Sequence, residues 1–292
     1  MLLVTGATGF VGQNLIEKLV NEKIKVRCLV RDKSKISESN KIEIIQGDIS
    51  DKVILYKATQ NVDTAIHLAA VIKSSSADEF MKVNVEGTRN LIEACIKSGV
   101  RRIIYVSSLD ASLSKTNTYG KTKAMGEDAV RNSGLDYIIL RPALIYGKSS
   151  KDIGMLAKFI KKYPFMPVVG SGEGKLQPVY IDDICNIIIK LIKSDIRNKT
   201  YYIAGEQKIT LNGLIDEIAG KFSKKVIKIH IPLWLLWLPL KLYGIVIKNS
   251  QINYESLILL NQDKTCDIDE IKKDFNFKPV SLDNGLKLVL RN

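Results

Sequence analysis

The opening run MLLVTGATGFVGQNLIEKLV constrains this chain more than any other stretch. A short apolar segment leads into Gly6, Gly9 and Gly12, and apolar residues Leu15, Ile16, Leu19 and Val20 then recur at helical spacing. Strand, tight turn and helix follow one another, which is the arrangement that grips a pyrophosphate. Glycine lets the main chain come close to the phosphates, and the helix N-terminus aims unpaired N–H groups and a partial positive charge at them.

The alternation continues. IKVRCLV reads as a second strand, IEIIQGDISD as a third, VDTAIHLAA as a fourth and RRIIYVSS as a fifth, with FMKVNVEGTRNLIEACIKSG helical between the last two. Strands alternating with helices imply a parallel sheet covered on both faces. At 292 residues the chain exceeds one ordinary core. The expected architecture is therefore α/β: a Rossmann doubly wound parallel sheet over residues 1–147 and a smaller, mostly helical substrate lobe over 148–292. A segment of about 176–206, ending in the strand KTYYIAG, is expected to return to the first domain.

Net charge is +13, which favours an anionic partner. The lysines are spread along the chain and no nucleic-acid-reading motif accompanies them, so nucleic acid is not expected. Four cysteines lack metal or CxxC spacing, and neither His67 nor His230 has a second ligand nearby, so no metal is expected. His67 reads as a packed strand-end residue. The first residues enter a strand directly, without a leader pattern, and a cytoplasmic protein is the expectation.

The end of the second strand bears on the nucleotide. An acidic side chain there would hold a ribose 2′-hydroxyl, whereas an arginine accommodates a 2′-phosphate. Val30 takes the usual acidic position and Arg31 follows it, which favours NADP over NAD; Asp32 is the residue that would reverse the preference. Asp48 is placed to face the adenine amine, and small Ala69 and Ala70 would let the main chain approach the cofactor.

The segments TGATGFVG, GDISD, HLAA, VNVEGTRNL, YVSS, YGKTK and LRPALIYG stand in the order and spacing of the extended or atypical short-chain dehydrogenases/reductases, the NAD(P)-dependent epimerase/dehydratase-like superfamily. The chain resembles that family over nearly its whole length. SGLDYIILRPALIYG and LQPVYIDD are similar to the atypical branch that includes the dehydrogenase-like accessory subunit of respiratory complex I. The resemblance implies cofactor contacts at Gly6, Thr8, Gly9, Phe10, Val11, Gly12, Arg31, Asp48, Ile49, Leu68, Ala69, Ala70, Lys123 and Pro142.

It also implies catalysis by Tyr119, Lys123 and Ser108. Tyr119 and Lys123 lie four apart in NTYGKTKAMGEDAV and share a helix face. An ammonium beside a phenol favours the phenolate and lowers its pKa. Tyr119 would exchange the proton as hydride moves, Lys123 would activate it and hold the nicotinamide ribose, and Ser108 would orient the substrate oxygen, with Ser107 the alternative. The expected activity is an NADP(H)-dependent interconversion of a secondary alcohol and a ketone. A sugar-nucleotide epimerase or dehydratase and a non-catalytic dinucleotide-binding scaffold are the alternatives. Leu176 and Gln177 stand where a sugar-nucleotide enzyme of the family would carry a diphosphate-clamping arginine, and Leu109, Asp110 and Ala111 do not supply a second acid/base pair.

In the second lobe, Asp182 and Asp183 open a helix and are expected to cap it. IHIPLWLLWLPLKLYGIVI, residues 229–247, is too short and too broken to span a bilayer. Two readings stand: a buried helix pair roofing an apolar substrate pocket, or a segment dipping into an acidic membrane interface. The partner is thus a small apolar molecule, with peripheral membrane contact as a further expectation, and the protein a monomer or homodimer.

Overall fold

The computed structural model describes residues 1–37, 39–148, 150–235 and 261–290. In chain order the first half runs through β1 (Leu2–Thr5), α1 (Phe10–Asn21), β2 (Val26–Val30), β3 (Ile42–Gln46), α2 (Lys52–Thr59), β4 (Thr64–His67), α3 (Ala77–Phe80), α4 (Gly87–Lys97), β5 (Arg102–Val106), α5 (Thr118–Arg131) and β6 (Asp136–Pro142). A π-helical turn over Met81–Glu86 joins α3 to α4. The second half adds β7 (Ile145–Tyr146), α6 (Lys151–Lys162), β8 (Phe165–Val169), β9 (Lys175–Leu176), β10 (Val179–Tyr180), α7 (Ile181–Ile192), β11 (Lys199–Ile203), β12 (Ile209–Thr210), α8 (Leu211–Lys221), β13 (Ile227–Ile231), α9 (Asp269–Phe275) and α10 (Leu282–Leu290).

Seven strands form one parallel sheet in the order β11-β6-β5-β4-β1-β2-β3. The expected doubly wound sheet is thus present. Its central strands read as unbroken apolar runs because both faces are covered: LLVT, TAIH and RIIYV are buried at every position. Helices α1 and α7 pack on one face, and α2 and α4 on the other. The order reverses between β1 and β4, and there the loops leaving the carboxyl ends of the two strands open a crevice for a ligand.

Strand β11 completes the sheet beside β6, with Tyr201 opposite Leu140. Outside the sheet lie three two-stranded pairs: β7 with β10 and β8 with β13, both parallel, and β9 with β12, antiparallel. Among the described residues no helix is long and apolar enough to cross a membrane.

Candidate active site

The glycine turn is closed to any larger residue at two points. Gly6 has φ +73°, and a Cβ there would lie 2.6 Å from the Ala69 nitrogen. At Gly12 it would lie 2.2 Å from the Gly6 carbonyl oxygen. The turn after β1 therefore sits directly on Leu68 and Ala69 of the loop after β4, where the Leu68 N–H donates to the Thr5 carbonyl at 3.1 Å. Gly9 caps α1 without a side chain, so the N–H groups of Phe10, Val11 and Gly12 have no helical acceptor and face the crevice mouth. Thr8, Phe10, Val11 and Ala70 are half-buried around it, and Pro142 ends β6 in the buried layer. An uncapped helix start above a backbone held bare by glycine suits a pyrophosphate.

Around the adenosine end, Arg31 is exposed just past β2 and forms no ion pair with a described residue. Asp32 instead folds its carboxylate onto the Ser34 N–H at 3.0 Å and hydroxyl at 2.7 Å. Burial works to raise the Asp48 pKa, but the Ser50 N–H and hydroxyl, with Arg31 and Lys82, outweigh it and hold the carboxyl below its ordinary value. Ile49 is buried against Gly87, so its side chain belongs to the core.

Tyr119 lies in the first turn of α5, started by the Asn117 side chain accepting from the Gly120 N–H at 3.0 Å. Its half-buried phenol faces the Ser108 hydroxyl and the carboxylate of Asp110. Ser107 points elsewhere, donating to Glu127 at 2.6 Å, so Ser108 is the serine beside the phenol. Lys123, 1% exposed, sets its amine 4.0 Å from the centre of the Tyr105 ring.

The charge balance differs from the sequence expectation. Burial and Asp110 push the phenol up to about 12, against a smaller lowering by Ser108. Lys123 is not among the groups that bring it down, because burial drives the amine itself to about 7, with Glu127 opposing. A lysine losing its proton near neutrality offers the phenol little positive field. Lys123 also lowers His67, which burial takes to about 3. That ring is held neutral between Thr5 at 2.7 Å and Thr88 at 3.0 Å, a packed residue as anticipated.

Two groups escaped the sequence reading, and a third, Asp110, set aside there as an acid/base partner, stands beside Tyr119. Glu127, 0% exposed and one turn beyond Lys123, accepts from Arg141 at 2.6 and 2.9 Å and from Arg131 at 2.6 Å. Asn84, in the π-helical turn, bonds both the N–H and the carbonyl of Val71 and also Thr122, tying the β4 loop to α5. Asp110 meets Lys264 at 2.9 Å, so a residue far along the chain closes on the acid facing Tyr119. Only the VNVEG signal around Asn84 was visible in the sequence.

Asp183 does not cap α7. Its carboxylate accepts the Val280 N–H at 2.9 Å and is pushed up to about 6 by burial, while Asp182 reaches Lys18 at 3.6 Å. Gln177 is buried and spent on the Gly205 carbonyl and the Cys266 N–H. Of the stretch 229–247, residues 229–231 end strand β13 with Ile229 49% exposed, and Trp234 is 73% exposed. For residues 229–231 the expectation of a buried helix pair fails, because pairing with β8 draws them into a ribbon. Positions 236–247 lie outside the described residues.

The chain is similar to several known proteins. The chain is 29% identical to a ceramide reductase of Caulobacter vibrioides over 67% of its length, a match spanning 62% of that protein. It is 27% identical to sterol demethylase protein B of Methylococcus capsulatus, over 96% of this chain and 94% of that one. In fold it resembles a dTDP-glucose 4,6-dehydratase of Streptomyces venezuelae solved with NAD: TM-score 0.80, 22% identity, covering 100% of this chain and 96% of the other. Residues 2–204 match the family itself. The chain belongs to the NAD dependent epimerase/dehydratase family of enzymes.

Proposed function

We propose that the protein is an NADP(H)-dependent oxidoreductase that interconverts a secondary alcohol and a ketone on an apolar, lipid-like substrate. The observation that carries this reading is the half-buried phenol of Tyr119 facing the Ser108 hydroxyl, with Lys123 one turn further along α5. A nicotinamide bound in the crevice supplies or takes the hydride. Tyr119, pushed up to about 12, keeps its proton at neutral pH and can donate it to a carbonyl oxygen as hydride is added. Ser108 orients that oxygen. Lys123 anchors the ribose by hydrogen bonding rather than by charge.

The preference for NADP rests on Arg31, which is exposed just past β2 and forms no ion pair with a described residue, and on Asp32, whose carboxylate is turned to Ser34. The lipid-like class rests on relatives named for ceramide and sterol, and on the absence of a free arginine at Leu176–Gln177. Oxidation of NADPH with a panel of long-chain keto-lipids and ketosteroids tests the reading. Tyr119→Phe should lower turnover by about a thousandfold and leave dinucleotide affinity nearly unchanged. A variant keeping a tenth of the activity rejects Tyr119 as the acid. Arg31→Ala should weaken NADP but not NAD.

One observation favours epimerisation as a second reading: Asp110 places a carboxylate beside the phenol, where a second proton acceptor would stand. Product formed without net dinucleotide turnover would select it.

A further inference from the structure

The second lobe carries an apolar face that no described residue covers. In the β8–β13 ribbon, Phe165 stands opposite Ile227 and Pro167 opposite Ile229, so the alternation of a strand brings these four side chains to one side. Phe165 is 40% exposed, Ile227 71% and Ile229 49%, and Trp234 follows at 73% just beyond the strand end. Lys228, between the two isoleucines, points to the opposite side and pairs with Asp216. Large apolar side chains gathered on one exposed face mark a contact surface.

The charge beside that face identifies what it meets. Lys161 and Lys162 end α6 just before β8, and Lys224 and Lys225 stand just before β13. Because the two strands run parallel and in register, all four lie at the same end of the ribbon, where the Lys224 amine reaches the Lys161 carbonyl. None of the four forms an ion pair with a described residue. The Lys161 and Lys162 amines instead lie over the rings of Phe222 and Tyr163, at 6.0 and 5.2 Å. A second copy of this face would bring more lysines and no carboxylate. An anionic bilayer offers acyl chains to the isoleucines, a headgroup layer to the tryptophan and phosphates to the lysines.

We infer that the β8–β13 face, with its lysine cluster, docks the protein on an anionic membrane surface. The inference stands on the second lobe alone and its assay needs no turnover, so it and the proposed reaction can fail separately. The full chain is sedimented with phosphatidylcholine vesicles, with and without about 30% phosphatidylglycerol. Expected is a bound fraction at low salt at least about tenfold higher on the anionic vesicles. Ile227→Ser with Ile229→Ser, and separately Lys161→Glu with Lys224→Glu, should each lower binding about tenfold while dinucleotide affinity, which reports the fold, is kept. No binding to anionic vesicles, or binding that neither pair alters, overturns the inference. A dimer in sedimentation velocity that the isoleucine pair dissolves assigns the face to a second copy and overturns it too.

Discussion

At the carboxyl edge of the main sheet, Lys123 and Glu127 are 1% and 0% exposed, whereas Ile227 on the β8–β13 ribbon and Trp234 just beyond it are 71% and 73% exposed. One region buries charge and the other exposes oil, and each arrangement opposes the ordinary sorting of residues. They differ in how the opposition is met. The edge surrounds Glu127 with protein donors and desolvates Lys123, so its cost sits inside the fold and a substitution there reads out as stability. The ribbon has no partner in the chain, so its cost is recovered only on contact, and a substitution there should leave the fold almost untouched.

The comparison breaks most visibly at Glu127. Its carboxylate is held below its ordinary value although burial raises it, because Arg141, Ser107 and Arg131 all donate to it. Glu127→Ala leaves Arg141 without its buried partner and should cost about 3–5 kcal/mol in urea unfolding. A loss under about 1 kcal/mol would mean that the edge is not the tightly partnered region described.

Lys123 should move the other way. Its folded value of about 7 lies below the ordinary 10.5, so between those limits the unfolded chain binds more protons and stability rises with pH. Lys123→Met removes that penalty. It should stabilise the protein by on the order of 2–4 kcal/mol at neutral pH or below, with the gain fading toward pH 10.5, and should abolish turnover. A variant that is less stable at all pH values would show that the amine is a structural group and not one kept for a ligand.

These contrasts mark where the sequence was informative. The glycine turn and the parallel sheet were legible because each depends on local spacing, strand, turn and helix within one short run, and Tyr119 and Lys123 because they are neighbours on one helix, whereas Ser108 came from the family resemblance. Glu127 was not legible, since its meaning comes from Ser107 on one strand end and Arg141 on another. Asp110 gains its setting only when Lys264 folds back on it. Asp183 looks like a helix cap in sequence, yet the tail presents the Val280 N–H to it. The apolar run from Ile229 could suit a helix or a strand, and the partner strand β8, which decides the matter, lies in a distant part of the chain.

His67 sharpens the picture of the edge as a protein-partnered region. Buried and neutral, it has a folded value of about 3 against the ordinary 6.5. The unfolded chain therefore takes up the proton first as pH falls, and this residue's contribution, complete above pH 6.5, is lost progressively toward pH 3. His67→Gln should flatten the acid limb of the stability curve by about 1 kcal/mol between pH 6.5 and about 5.5. Parallel curves for the two proteins would refute the assignment of a neutral, enclosed ring.

The smallest expected effect belongs to the ribbon and tests the other half of the comparison. Ile227→Ser replaces a side chain already 71% exposed, which loses little contact with water on folding, and no cavity forms. Its N–H still donates to the Pro164 carbonyl at 3.0 Å whatever the side chain. Unfolding free energy should stay within about 0.5 kcal/mol of wild type. A loss of about 2 kcal/mol would place Ile227 in a core, since only burial makes an aliphatic side chain that costly to remove. The ribbon would then resemble the sheet edge, partnered from within the chain, and the contrast between the two regions would disappear.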